Sequence, residues 1–162
     1  MTLPIPHPDL LLSLPDYVRA ARREAPEVAE EMALAAAQAY LRRGARAQAA
    51  TLLSAVAEQL PLYEAITLRD VLAELLEGLA DLRGALLQAG IVDGQRGSAD
   101  TALRVGRIRL ALGERSHARR DLERARDWAE MTGEHDVRDT ARALLDVLAR
   151  GAQAMAAPTA PN

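Results

Sequence analysis

The chain has 162 residues, 49% of them hydrophobic and 27% charged, which fits one soluble globular domain with a core of its own. Its formal net charge of −3 argues against a molecule that attracts polyanions as a whole. With no cysteine it has no disulfide framework, no thiolate nucleophile and no cysteine metal site.

Phe is absent and aromatics make up 2%, so the core has to be built from Leu, Ala and Val, a composition that favours closely packed helices. Every basic residue other than histidine is Arg. Genomic codon bias produces that pattern as readily as a set of bidentate contacts does.

The start, "MTLPIPHPDL", lacks a basic region followed by an apolar run, so no signal peptide is expected. Its alternating prolines predict an extended segment over residues 1–12. A helix is expected from Ser13 or Leu14, with Pro15 in the first turn, up to Pro26. The next begins at Pro26, where Glu27, Glu30 and Glu31 suit the positive helix end, and stops at Gly44. "ARAQAATLLSAVAEQL" follows and ends at Pro61.

Thr67 with Asp70 resembles a capping signal for "LRDVLAELLEGLADLRGALLQ". This stretch reads as one long helix to Gly90 or as a hairpin at Gly78. The three glycines of "GIVDGQRGS" look like the turn and favour the single helix. Ser98 is a candidate cap for "ADTALRVGRIRLAL", which ends at Gly113. "ERSHARRDLERARDWAEM" then runs to Gly133 and "HDVRDTARALLDVLAR" to Gly151. Residues 13–151 thus form a single helical domain, and residues 152–162 a disordered tail. No segment alternates at period two, so no sheet is expected. No apolar run nears the ~20 residues of a membrane span, and the cytoplasm is the expected compartment.

With an offset of 69 residues, "ALAAAQAYLRRGARAQAATLL" lies on "ALRVGRIRLALGERSHARRDL". Leu41 meets Leu110, Gly44 meets Gly113, Ala49 meets Ala118 and Leu53 meets Leu122. Tyr40, Gly44, Ala49, Leu53, Val56 and Pro61 resemble the tetratricopeptide repeat, a helix–turn–helix unit of about 34 residues. Arg109, Gly113, Ala118, Leu122, Ala125 and Glu130 form a second copy. A degenerate middle copy is placed through Leu68, Leu75, Gly78 and Leu87, with Arg83 where a small residue belongs. The resemblance implies an all-α fold: a short superhelical array of antiparallel helix pairs, about three repeats, with the N-terminal and last helices as caps.

The same resemblance implies that the first helix of each pair lines a concave, peptide-binding face. Candidate partner-binding residues are Gln38, Leu41, Arg42, Arg104, Arg107 and Ala111. The family's carboxylate clamp of Lys and Asn is missing: there is no Lys, the sole Asn is Asn162, and Leu34 and Leu103 hold the equivalent places.

After Gly113, Ala118, Leu122, Ala125 and Ala129 form the apolar stripe of an amphipathic helix. Arg115, Arg119, Arg120, Arg124 and Arg126 interleave with Glu114, Asp121, Glu123, Asp127 and Glu130, which reads as a solvated face. Arg119–Glu123, Asp121–Arg124 and Arg126–Glu130 have pairing distance, each contributing ~0.2–0.5 kcal/mol. Arg104, Arg107 and Arg109 have Asp100 alone nearby, and the segment from Glu58 to Asp93 is acidic. Trp128 falls on the flank of its apolar stripe and reads as packing.

His7, His117 and His135 are dispersed. Glu134, His135 and Asp136 are adjacent on a helix start and point apart, so no metal site is expected. No phosphate loop, GxSxG or HExxH occurs, so neither an enzyme nor a cofactor is expected. The expected function is non-catalytic protein–protein interaction, as adaptor, chaperone-like module or regulatory subunit, binding a partner's peptide or helix. The alternative is nucleic acid or another polyanion on Arg104, Arg107 and Arg109, against which stand the net charge and the lack of interleaved aromatics. Homo-oligomerisation through an Ala/Leu-rich end helix is a further rival.

Overall fold

The computed structural model describes residues 23–156, and all their regular structure is helical. The extended segment over residues 1–12 and nearly all of the helix expected before Pro26 lie outside the described residues. Seven helices are described: α1 (Pro26–Arg42), α2 (Arg46–Ala57), α3 (Ile66–Gly78), α4 (Leu82–Arg96), α5 (Ala99–Ala111), α6 (Arg115–Thr132) and α7 (His135–Ala156). They fall into two compact units, Met1–Gln95 and Arg96–Asn162.

One turn recurs at the ends of α1, α3, α5 and α6. In each, a residue takes the left-handed conformation: Gly44 (φ 74°), Ala80 (φ 62°), Gly113 (φ 79°) and Gly133 (φ 77°). The next amide then donates back to a carbonyl of the last turn: Ala45 to Tyr40 (3.0 Å), Asp81 to Leu76, Glu114 to Arg109 and Glu134 to Ala129 (2.9 Å each). This is the Schellman closure, which satisfies carbonyls that a helix end would otherwise leave open. Three of the four sites carry the glycine that the conformation favours. At the fourth, Ala80 holds it against a steric cost of roughly 1–2 kcal/mol. Ala80→Gly is therefore expected to raise the unfolding free energy by up to about 1 kcal/mol after the added freedom of the unfolded chain is subtracted. A denaturant titration by circular dichroism checks it.

That turn corrects the reading of residues 68–89. They form two helices rather than one, broken at 79–81, and α4 continues through Gly90 and Gly94 to Arg96. Those two glycines are exposed, and each lowers helix propensity by only about 1 kcal/mol, so they do not end the helix. The turn also moves the register: Ala80, not Gly78, matches Gly44 and Gly113. In that register Ala49, Ala85 and Ala118 are equivalent, and all three are fully buried. Leu53, Ala89 and Leu122 follow, then Val56, Val92 and Ala125, all buried. Arg83 takes no core place; it is exposed.

In the first unit Ala29, Ala33, Ala36 and Ala37 of α1 pack on Ala49, Ala50, Leu53 and Val56 of α2, with Leu68 and Leu72 of α3 in the same cluster. Each fully buried Leu contributes roughly 1.5–3 kcal/mol relative to exposure. No Thr67 cap holds the start of α3. Instead the Glu30 carboxylate of α1 accepts a hydrogen bond from the Leu68 amide at 2.8 Å, bringing an anion to the positive helix end. Pro26 opens α1 as expected.

In the second unit Ala102 and Leu103 of α5, Ala118, Leu122 and Ala125 of α6, and Ala141 and Leu148 of α7 form one cluster. The α5–α6 approach depends on Gly106. A Cβ there would lie 2.8 Å from Cδ2 and 2.9 Å from Cγ of Leu122, closer than packed carbons tolerate. Ser98 caps α5 as the sequence suggests: it accepts from the Thr101 amide at 3.3 Å, and the Thr101 hydroxyl oxygen accepts from the Ser98 amide at 3.2 Å. The last helix does not stop at Gly151 but reaches Ala156, since the residues after Gly151 include three alanines, the strongest helix formers.

Candidate functional site

The turns define which helix comes first in each pair: α1, α3 and α5. On α1, Gln38 and Arg42 are exposed and Leu41 is half-buried. On α5, Arg107 and Ala111 are exposed, while Arg104 is half-buried and engaged with its surroundings. Gln38, Leu41 and Arg42 thus belong to the first unit, and Arg104, Arg107 and Ala111 to the second. The register also puts Glu74 of α3 at the position of Gln38 and Arg107, and it too is exposed. Glu74 was hidden in the sequence because a repeat counted from Gly78 puts it two positions out of step.

Arg109 is not an unmatched cation. Its Nη1 donates to Asp121 Oδ2 at 2.6 Å, and its Nε lies 3.9 Å from Glu114 Oε2. Asp121 in turn accepts from Arg124 Nη2 at 3.2 Å. The expected Asp121–Arg124 pair therefore forms, but not on a solvated face. Asp121 is 8% exposed, with two guanidiniums gathered on its carboxylate. Arg124 also lies over the Trp128 ring, 5.4 Å from its centroid, and Trp128 is part of the apolar packing. Arg109 stands at the register position that Tyr40 holds in the first pair.

Further along α6 the charges do face water. Arg126 donates to Asp127 at 2.7 Å, and that hydrogen bond raises the guanidinium's pKa. Glu130 accepts from Arg142 of α7 at 2.9 Å, not from Arg126.

A second polar cluster was not foreseen. Arg69 of α3 stands where Ala33 and Ala102 stand in the other pairs, and it is 4% exposed. Its Nη2 donates to the carbonyls of Ala57 (3.0 Å) and Pro61 (3.4 Å), and its Nε to that of Glu64 (3.4 Å). Its Nη1 donates to Gln88 Oε1 of α4 at 3.0 Å. Burial alone pushes the pKa of this guanidinium down. Arg69 thus fastens the connection between α2 and α3 and ties α4 to it. The available signal was a charge at an alanine position, legible once the middle pair is aligned on Ala80.

Among the described residues no three His, Asp or Glu side chains gather as a metal site, and no helix is long and apolar enough to cross a membrane.

No family model and no curated protein matches the chain. Among solved structures, the crystal structure of MamA is similar, with a TM-score of 0.52 and 14% identity over 88% of each chain. The fold is of the tetratricopeptide type. In tetratricopeptide terms α1–α2, α3–α4 and α5–α6 each consist of two helices joined by the same turn, and α7 packs on α6 after the third pair. At this identity the likeness concerns the fold.

Proposed function

We propose that the protein is a non-catalytic protein-binding module, taking a peptide or helix of a partner on the exposed faces of its first helices. The observation that carries this reading is the exposed position that each of these helices leaves in water. Gln38, Glu74 and Arg107 share one register position and are all exposed, as are Arg42 and Ala111 one turn further on. Neither the cores nor the turns make use of them. A fold of paired helices builds such faces without a catalytic group, and the tetratricopeptide likeness supports a protein as the partner. Polyanion binding is less favoured, because Arg109 already serves Asp121 and Glu114.

The test is capture of partners from the native source with wild type and with an Arg42→Glu/Arg107→Glu variant, quantified by mass spectrometry. The variant is expected to lose the specific partners by about tenfold or more, as charge reversal at a binding residue does. Equal capture by both would overturn the assignment of these faces.

A further inference from the structure

In the first unit α2, the end of α3 and α4 enclose a surface that uses none of Gln38, Leu41, Arg42 and Glu74. Two adjoining cavities of about 390 and 480 Å³ run along α2 and share Ser54, Glu58, Leu76 and Asp81. Their floor on α2 is Ala47, Ala50, Thr51, Ser54 and Ala55, a helical stripe short enough to admit another backbone closely. Their walls are aliphatic and partly in water: Leu62 is 51% exposed, Leu79 41% and Leu87 62%. Large apolar side chains grouped around one groove mark a contact surface rather than chance exposure.

Charge identifies the visitor. Glu58 and Asp81 border both cavities and are exposed. One Asp81 oxygen accepts from the Gly84 amide at 2.9 Å, at the start of α4, and the Glu58 carboxylate is the main outward charge of the groove. Arg69, which lines the first cavity, is turned inward, with its hydrogens on three carbonyls and Gln88. What the groove presents outward is therefore aliphatic and negative. The floor follows α2, whose 12 residues span about 18 Å, or some three turns.

We propose that this groove docks an amphipathic helix of a partner protein, about three turns long, with aliphatic side chains on one face and Arg or Lys beside them. The aliphatic side chains sit among Leu62, Leu76, Leu79 and Leu87, and a cationic side chain meets Glu58 and Asp81. This surface is separate from the first-helix faces and does not depend on them.

A fluorescein-labelled leucine–lysine amphipathic helix and its leucine–glutamate counterpart serve as probes, titrated by anisotropy against the full chain. The lysine peptide is expected to bind at least about tenfold more tightly than the glutamate one. Leu87→Glu and Leu62→Glu, both at exposed positions, should each weaken it about tenfold even though they add negative charge, and Glu58→Arg should weaken it too. Arg42→Glu should leave it unchanged, so failure here is distinguishable from failure of the first-helix reading. Equal binding of both peptides would overturn the proposal. So would tighter binding by Leu87→Glu, the mark of unspecific charge attraction. A dimer in gel filtration that Leu87→Glu dissolves would also overturn it, since the occupant would then be a second copy of the chain.

Discussion

Arg69→Ala is expected to destabilise the first unit by about 2–4 kcal/mol, from the lost charge-assisted hydrogen bonds and the void left behind. Removing the guanidinium takes a charged donor from the carbonyls of Ala57, Pro61 and Glu64. Ala57 and Pro61 keep the backbone amides of Leu60 (3.4 Å) and Glu64 (3.0 Å), so the loss is that of the charge-assisted hydrogen bonds. The substitution also leaves Gln88 Oε1 without its donor and opens a void beside the first cavity. Arg69→Met fills most of the void and restores none of the hydrogen bonds, so it should recover a minor part of the loss. Chemical denaturation followed by circular dichroism reads both. If Arg69→Ala lowers stability by less than about 1 kcal/mol, the guanidinium is not holding the α2–α3 connection.

Asp121→Ala is expected to weaken the second unit by about 2 kcal/mol. The carboxylate sits between Arg109 and Arg124, whose side chains are 29% and 39% exposed. Solvent reaches both cations, so the loss should be smaller than for a fully buried pair. Removing Asp121 turns two attractions into a repulsion between neighbouring guanidiniums at the α5–α6 turn. Arg109→Met in the same background should return part of the stability, because it removes one of the two cations and keeps the packed volume. A double-mutant cycle in denaturant measures the coupling. Simple addition of the two losses would show that Arg109 and Asp121 act independently.

The helices and their outer pairs were legible because a leucine at one point of the 3.6-residue period cannot leave the core without exposing itself, and glycine marks a left-handed turn. The middle pair was not, for a specific reason. Ala80 takes a conformation alanine seldom adopts, while Gly78, two residues earlier, is an ordinary helical residue. The local cue pointed to the wrong residue, and Ala85, Ala89 and Val92 fell out of register with it. The same slip concealed Glu74 among the exposed first-helix positions and Arg69 among the buried ones. Arg109 and Asp121 were misjudged because charge pairing across a turn, twelve residues apart, leaves no periodic trace within either helix. The groove along α2 could not be read at all, since the apolar character of Leu62 and Leu87 says nothing about whether they are covered.

The contact of Gly106 with Leu122 restricts the routes by which this protein can have changed. In the equivalent places the first pair has Ala37 and Leu53, and the middle pair Ala73 and Ala89, so three combinations of side-chain size exist within one chain. Moving from the third combination to the second by shrinking Leu122 first avoids a clash. Adding a methyl group at position 106 first gives the first pair's alanine–leucine combination and, with a contact of 2.8 Å, needs the Leu122 side chain or the helix spacing to shift. The order of the two changes therefore matters, and relatives with alanine at position 106 should carry a smaller residue at position 122 or a wider spacing of the two helices.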